Sequence, residues 1–232
     1  MKQHPLDPIE MLAKKLIDKN FTPLHNSDPV YAALAKMDAW QTTSLPVVEP
    51  TTGKIIGQVT LQMLIDLPDE SVLLNEIKLK EPIFSFEHQH VFEVARQLVR
   101  HEVRIIPVVN ESEEFIGVLQ EKDVLKAFSE MLNVSRSGSV ITVEIGNADF
   151  TLTEIVNLIE LESAKILGVT VEHGNEDNPN LNISFKLNVE DTSAVVSSLK
   201  RHGYATVTEN THDLLEVDMS SRANELIRYL DL

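Results

Sequence analysis

The chain has 232 residues, 43% of them hydrophobic, with no cysteine and a formal net charge of −16 at pH 7. This length suits one large domain or two to three small ones, and the lack of cysteine excludes disulfides, thiolate nucleophiles and cysteine-based zinc sites. The acidic balance argues against nucleic acid and anionic membrane partners, which bind basic faces, and neither a membrane span nor a signal peptide is visible, so we expect a cytoplasmic protein.

The first predicted element is a helix near the N-terminus. Asp7-Pro8 is typical of a helix start, because proline fixes φ and lacks the N–H that the first turn leaves unpaired. Apolar residues follow at helical spacing, namely Ile9, Leu12, Leu16 and Ile17. We expect this helix to pack on the body of the protein, and a partner-binding helix is the alternative.

The next part of the chain contains one pattern twice, about sixty positions apart, and an internal repeat of this kind fixes the architecture. Ser44–Val48 reads Ser-Leu-Pro-Val-Val and Ile105–Val109 reads Ile-Ile-Pro-Val-Val, and each is followed by a turn and an Ile-Gly run. Such short runs, rich in β-branched residues, predict buried strands. Apolar residues at helical spacing precede the paired strands in both copies. Asp28-Pro29 marks the first helix start, where the Asp28 carboxylate is expected to cap unpaired backbone N–H groups. Each copy therefore predicts strand, helix, strand, strand, helix.

A third unit follows the Ser/Gly-rich linker at 135–139. Alternating apolar residues from Ile141 predict a strand, helical spacing over 152–159 predicts a helix, and turn residues at 173–180 predict a hairpin. Asp191 is expected to cap a further helix that ends at Gly203, before a last strand. The order βαββαβ predicts a ferredoxin-like sandwich.

The repeats carry a family resemblance. The Pro-Val-Val strand followed by Gly-x-x-(Thr/Ser)-x-x-Asp, here at Gly57/Thr60 and Gly117/Asp123, resembles the signature of CBS domains, which pack in pairs as a Bateman module. Residues 139–208 resemble an ACT domain. The order of the three modules is similar to that of acetoin-utilisation-type CBS proteins.

The resemblance implies four parts in the chain, all of them in an α/β (α+β) fold class. These are an N-terminal helix and first CBS domain over 1–75, a second CBS domain over 76–134, an ACT-like domain over 139–210, and a strand and helix tail over 211–232.

The CBS resemblance also implies an adenosine-ligand site in the cleft between the copies, with Asp on the ribose hydroxyls and Thr or Ser on phosphate. The first copy keeps Thr60 but has Met63 in place of the ribose-binding Asp. The second copy keeps Asp123 but has Gln120 in place of the hydroxyl. Because Met cannot accept ribose hydrogen bonds as a carboxylate can, we expect the better site around Asp123.

Further residues are expected in this site by the same resemblance. Gln120 would donate to phosphate or ribose, Arg104 would meet an anion, and the adenine edge would lie on strand backbone near Ile83 and Ile106. The remaining expected ligand-binding residues are Pro107, Thr60, Leu45, Pro46 and Leu24.

Each of these candidates has a structural alternative. Asp123 also suits the first turn of a helix, where a negative charge favours the helix dipole, and Thr60 fits a helix N-cap. Arg104, with Arg100 and His101, forms a basic cluster that either binds an anion or balances charge at a helix end. For His88 and His90 we favour solvated histidines over a metal site, because no third or fourth ligand is in view.

The ACT-like unit departs from its family in one loop. That family commonly places Asp-x-x-Gly-x-Leu after the first strand, whereas this chain reads Asn147-Ala148-Asp149-Phe150-Thr151-Leu152. Without the glycine, a dimerising or connecting role is favoured over an amino-acid effector site.

The sequence thus favours a non-catalytic regulatory protein. Its CBS pair would bind AMP, ATP or S-adenosylmethionine and would signal by conformational change or self-association. No catalytic motif and no required cofactor or metal is recognised. The alternative is a structural dimerisation scaffold with degenerate CBS sites. In both cases we expect a homodimer, with an unidentified protein partner as a further possibility, and neither nucleic acid nor membrane as a partner.

Overall fold

The computed structural model describes residues 11–146, 151–174 and 179–208. The chain divides into two compact units, Met1–Phe128 and Ser129–Leu232. The start of the predicted N-terminal helix, the loop at 147–150 and the predicted tail over 211–232 lie outside the described residues.

The first unit contains the two copies of the repeat, each in the predicted order, except that the last helix of the second copy runs on past Phe128. The first copy consists of β1 (Leu24–His25), α1 (Val30–Ala39), β2 (Ser44–Val48), β3 (Ile55–Thr60) and α2 (Leu61–Ile65). The second consists of β4 (Ser85–Phe86), α3 (Val91–His101), β5 (Ile105–Val109), β6 (Phe115–Gln120) and α4 (Glu121–Met131). In both copies the middle strand pairs parallel with the first strand and antiparallel with the third. The predicted pair of small α/β units is confirmed.

The middle strand of each copy contains a proline although it is central in its sheet. Pro46 pairs with Gln58 on β3, but β1 reaches only Val47 and Val48. The strand therefore has a ladder partner on one side only at Pro46, where the missing N–H of proline is tolerated. The second copy repeats the arrangement at Pro107, because β4 reaches only the two residues that follow it.

The segment before each copy crosses to the third strand of the other copy. We call residues 11–18 the N-terminal strap and residues 70–80 the middle strap. The backbone of Asp18 exchanges two hydrogen bonds with Val118 on β6, at 2.8 and 3.1 Å. The backbone of Lys80 exchanges two with Gln58 on β3, both at 3.0 Å. The third strand of each copy therefore pairs, on its outer side, with a segment that lies outside that copy.

The straps also satisfy the first N–H groups of the main helices, which an isolated helix leaves unpaired. The N–H of Val91 donates to the carbonyl of Met11 on the N-terminal strap, and the N–H of Val30 donates to Val72 on the middle strap. The prediction that the carboxylate of Asp28 caps the first helix is wrong. The Asp28 carboxylate accepts the N–H of His25 at 2.9 Å instead. The first N–H groups of the helix already donate to backbone carbonyls of the middle strap.

The predicted N-terminal helix is also wrong over its described part. Residues Ala13–Lys15 form a single 3-10 turn. The N–H groups of Ala13 and Lys14 donate to Gln89 and Glu87 of the second copy, so they are not available to carbonyls within a helix. The apolar residues of this segment pack on the second copy from an irregular strap.

The repeated glycines of the Ile-Gly runs are required by the straps. A Cβ at Gly57 would lie 2.6 Å from Cβ of Leu79 on the middle strap. A Cβ at Gly117 would lie 2.4 Å from Cγ2 of Ile17 and 2.6 Å from the carbonyl oxygen of Asp18. Gly117 also has a φ of +146°, which side-chain-bearing residues rarely adopt. The glycines therefore mark the two points where a strap crosses a third strand.

The second unit has the predicted βαββαβ order. Its elements are β7 (Val140–Ile145), α5 (Leu152–Leu161), β8 (Ile166–Glu172), β9 (Leu181–Leu187), α6 (Ser193–Arg201) and β10 (Ala205–Thr208). The strands form one antiparallel sheet in the order β10-β7-β9-β8, and alternate residues of β7 and β9 are buried in a core shared with α5 and α6. The carboxylate of Asp191 accepts the N–H of Ser193 at the start of α6, as predicted. The ferredoxin-like fold is confirmed.

Glycine-to-alanine variants test the strap crossings. Gly57→Ala adds a clash without an unusual φ, and Gly117→Ala adds a clash and backbone strain. We expect Gly57→Ala to lower the free energy of unfolding by about 1–3 kcal/mol and Gly117→Ala to lower it further, as measured by urea denaturation.

The matched control is Gly53→Ala, since Gly53 has a φ of +69° but its Cβ would find its nearest atom at 3.8 Å. Backbone strain alone should lower the free energy of unfolding by about 1 kcal/mol. Losses at both strap glycines no larger than that of the control would contradict the steric role of the crossings.

Candidate functional site

A cavity of about 530 Å³ lies in the first unit beside the N-terminal strap, and we call it the strap cavity. This volume falls in the range of pockets that hold small molecules. The strap contributes Asp18, and the end of α1 in the first copy contributes Ala39, Trp40 and Gln41. The second copy contributes the start of β5 and the junction of β6 with α4. Three segments that are distant in sequence therefore form one cavity.

Two cations lie in the wall that the second copy supplies. Arg104 precedes β5, and Lys122 lies in the first turn of α4. Among the described residues, neither side chain has an ion-pair or hydrogen-bond partner. The backbone is tied at this point, because the N–H of Glu121 donates to the carbonyl of Arg104 at 2.9 Å. The backbone therefore joins the two segments that bear these exposed side chains, and both charges are available to an anion.

A carboxylate and an amide form a direct contact in the same cavity. Nε2 of Gln120 donates to Oδ2 of Asp18 at 3.2 Å, and the backbone N–H of Asn20 donates to Oδ1 at 2.9 Å. Both Asp18 and Gln120 are half-buried. Their side chains are oriented relative to each other, although they lie on segments far apart in the sequence.

The aromatic residue of the cavity is held by the core beneath it. Trp40 is half-buried and packs edge-on against the buried ring of Phe21, with ring centroids 4.8 Å apart. Phe21 in turn contacts Phe115 of the second copy, with centroids 6.2 Å apart. Since aromatic rings on both copies support it, Trp40 gives the cavity a fixed apolar surface.

The structure brings two of the predicted site residues together in the strap cavity. Arg104 and Gln120 line it, next to Ile105. Asp123 is half-buried in the first turn of α4 and Ile83 is half-buried before β4, and neither lines this cavity. Their ligand roles stay predictions.

The other predicted site residues belong to the packed interior. The following are buried: Leu24, Leu45, Pro46, Ile106 and Pro107. Whether their backbone contacts a ligand stays a prediction.

Sequence reasoning missed Asp18, Trp40 and Lys122. The repeat compares equivalent positions of the two copies, so it could not show that residues before the first copy and at the end of its helix meet the second copy. The only signal was indirect, because the paired glycines indicated a close backbone approach by an unspecified segment.

Thr60 does not have the capping role that its position suggested. It occupies the N-cap position of α2, yet its side chain makes no cap hydrogen bond. Its Oγ1 is buried and has no hydrogen-bond partner among the described residues. The N-cap interpretation is therefore wrong, and no protein group in the described part of the chain satisfies this hydroxyl.

The histidines near β4 have structural contacts. The ring of His88 stacks on Phe86 with centroids 5.5 Å apart, and Nδ1 of His90 accepts the N–H of Phe92 at the start of α3. Within the described ranges, no three residues of the types that ligate metals lie close enough to hold an ion. Among the same residues, no helix has the length and apolar character needed to cross a bilayer. All three residues of the predicted basic cluster are exposed, and of these Arg104 lines the strap cavity while Arg100 and His101 lie at the end of α3.

A family model for the CBS domain matches residues 13–70 and 74–130, which are the two copies with their straps. The chain is a tandem CBS-domain protein. The second unit of this CBS protein has the ACT-like ferredoxin fold described above. CBS pairs are regulatory, ligand-sensing modules, so the pair gives the chain a role of that general kind.

This CBS protein is similar to part of a longer protein. Inosine-5'-monophosphate dehydrogenase of Methanocaldococcus jannaschii is 19% identical over 156 residues, which make up 66% of this chain and 31% of the relative. The chain thus spans less than a third of that relative's length.

Solved structures with a similar fold include a CBS domain pair/ACT domain protein from Thermotoga maritima. It is 27% identical with a TM-score of 0.46, covering 53% of this chain and 99% of that one. Another is the cytosolic domain of the Mg²⁺ channel MgtE in complex with ATP, at 22% identity and a TM-score of 0.43. That match covers 50% of this chain and 48% of the channel domain.

The unsatisfied hydroxyl of Thr60 predicts an unusual result for Thr60→Val. Removing a buried hydroxyl without a partner while keeping the side-chain shape should leave the free energy of unfolding unchanged or raise it by up to about 1 kcal/mol. Thermal denaturation without ligand measures the change.

Thr42→Val is the matched control, because the buried Oγ1 of Thr42 donates to the carbonyl of Ser44 at 3.1 Å. It should lower the free energy of unfolding by about 1 kcal/mol. A comparable loss for Thr60→Val would show that the Thr60 hydroxyl has a stabilising partner after all.

Proposed function

We propose that the protein is a non-catalytic sensor whose CBS pair binds an adenosine-containing ligand in the strap cavity. The observation that carries the proposal is the meeting of Arg104 and Gln120, both expected in the site from sequence, in a cavity large enough for a nucleoside ligand. A fixed aromatic residue and a second cation in the same wall add to it. AMP, ATP and S-adenosylmethionine are the candidate ligands.

The two cations that line the strap cavity favour a ligand that carries phosphate. Arg104 and Lys122 have no partner among the described residues, and hydrogen bonds from a cation to phosphate are stronger than neutral ones. Trp40 offers an apolar ring for the base, in keeping with pockets that combine apolar walls with a few placed polar groups. We therefore expect AMP and ATP to bind more tightly than S-adenosylmethionine. The assignment of Asp123 to the ribose stays part of the sequence-based expectation.

Binding in this cavity would couple the two copies. A ligand that touches the strap, the end of α1 and the second copy is bound fully only when all three are assembled. Such a ligand stabilises this arrangement relative to any in which the copies or the strap have shifted. Homodimerisation or the binding of another protein partner would then depend on this arrangement of the copies. We expect this to occur in the cytoplasm.

A thermal-shift and calorimetric titration with AMP tests the proposal. AMP at 100 times its Kd should raise the free energy of unfolding by about 2.7 kcal/mol. Arg104→Ala should weaken AMP binding by about tenfold or more, because it removes a charged hydrogen bond to phosphate.

Arg100→Ala is the matched control, since Arg100 is an exposed arginine of the same copy that does not line the cavity. Its AMP affinity should equal that of the unaltered protein. If millimolar AMP, ATP and S-adenosylmethionine all leave the thermal midpoint unmoved, the sensor proposal fails and the scaffold with degenerate sites takes its place.

A further inference from the structure

We propose that Asp18, on the N-terminal strap, is the carboxylate that holds the ribose hydroxyls of the ligand in the strap cavity. The inference rests on the proposed function and adds to it a specificity-determining residue from outside both repeated signatures. At the equivalent crossing in the first copy the strap residue is Lys80, so that copy has no carboxylate in this position.

The backbone fixes Asp18 at the cavity wall. Both its N–H and its carbonyl are bonded to Val118 on β6, so the residue is held as part of the sheet of the second copy. The close passage is possible because Gly117 has no side chain, since a Cβ there would lie 2.6 Å from the Asp18 carbonyl oxygen. A residue pinned by two backbone bonds presents its side chain at a defined place.

The side chain of Asp18 is oriented as well. Gln120 donates to one carboxylate oxygen and the N–H of Asn20 donates to the other. Each oxygen of an ionised carboxylate has two lone-pair sites, so one remains on each for a further donor. The two neighbours therefore hold the group in place and leave it able to accept two more hydrogen bonds.

Two hydrogen bonds from adjacent hydroxyls are what a ribose offers. An ionised carboxylate only accepts hydrogen bonds, and acidic residues bind ribose hydroxyls in other nucleotide sites for this reason. Arg104 and Lys122 are available to phosphate and Trp40 to the face of the base, and the carboxylate of Asp18 in the same wall is available to accept from the ribose hydroxyls.

Asp18 suits this role better than the other carboxylates nearby. Glu121 also lines the cavity, but among the described residues no hydrogen bond orients its carboxylate. Asp123 does not line the cavity. Of the carboxylates that line the cavity, Asp18 is the one that is half-buried and oriented by two hydrogen bonds.

The test compares AMP with 2',3'-dideoxyadenosine 5'-monophosphate, which keeps the base and phosphate but lacks both ribose hydroxyls. We expect the unaltered protein to bind AMP about tenfold or more tightly than the dideoxy analogue, because two hydrogen bonds to a charged group are lost. Asp18→Asn should reduce this preference to about twofold, chiefly by weakening AMP, with calorimetry as the measurement.

The matched control is Asp66→Asn. Asp66 is an exposed carboxylate that also accepts from a glutamine amide, Nε2 of Gln62 at 3.0 Å, but it does not line the cavity. It should keep the full preference for AMP. Should Asp18→Asn fail to fold, Gln120→Ala is the second variant. It removes one of the two orienting donors and should lower the preference severalfold.

The outcomes separate this inference from the proposed function. A full preference for AMP in Asp18→Asn, or in Gln120→Ala where that variant is used, overturns the role of Asp18 while AMP binding itself upholds the sensor. If Asp123→Asn loses the preference for AMP over the dideoxy analogue and Asp18→Asn keeps it, Asp123 is the residue that binds the ribose. Absence of AMP binding in the unaltered protein overturns both proposals.

Discussion

The structure of the CBS pair depends on the exchange of backbone hydrogen bonds between each strap and the opposite copy. One copy alone has a three-stranded sheet whose first strand is two residues long, and a sheet of that size buries little apolar surface. The crossing straps add the last pairing to each sheet and satisfy the first N–H groups of α1 and α3. Because each strap precedes one copy and pairs with the other, neither copy is complete by itself.

The duplication gives both copies the same backbone frame, but the polar side chains around that frame differ. Both copies keep the proline in the middle strand and the glycine at the crossing, since backbone geometry requires them. The polar positions around this frame have diverged. The first copy holds Thr60 with an unsatisfied buried hydroxyl, whereas the second copy holds Gln120, which is bonded to Asp18 and lines a cavity with two cations. The two copies thus differ in the polar groups around the same frame, and under the proposed function the second copy is the one that binds a charged ligand.

The elements of the fold could be predicted because their signals are local. β-Branched runs around Pro46 and Pro107 indicated buried strands, and alternation from Ile141 indicated the first strand of the second unit. The N-terminal strap could not be predicted, because its N–H groups bond to a copy that lies some seventy to one hundred residues away, and such backbone contacts leave no periodic pattern. Its apolar residues are spaced like those on one face of a helix, although the segment forms only a short 3-10 turn. The cavity was missed in part for the same reason, because Asp18 reaches it only through that crossing.

The central claim is that the second copy, completed by the N-terminal strap, forms the ligand site. A crystal structure of the full chain with AMP tests it most directly. The account predicts AMP in the strap cavity, with phosphate at Arg104 and the ribose hydroxyls within about 3 Å of the Asp18 carboxylate. AMP bound instead beside Thr60 and Met63 of the first copy, with the strap cavity empty, would contradict it.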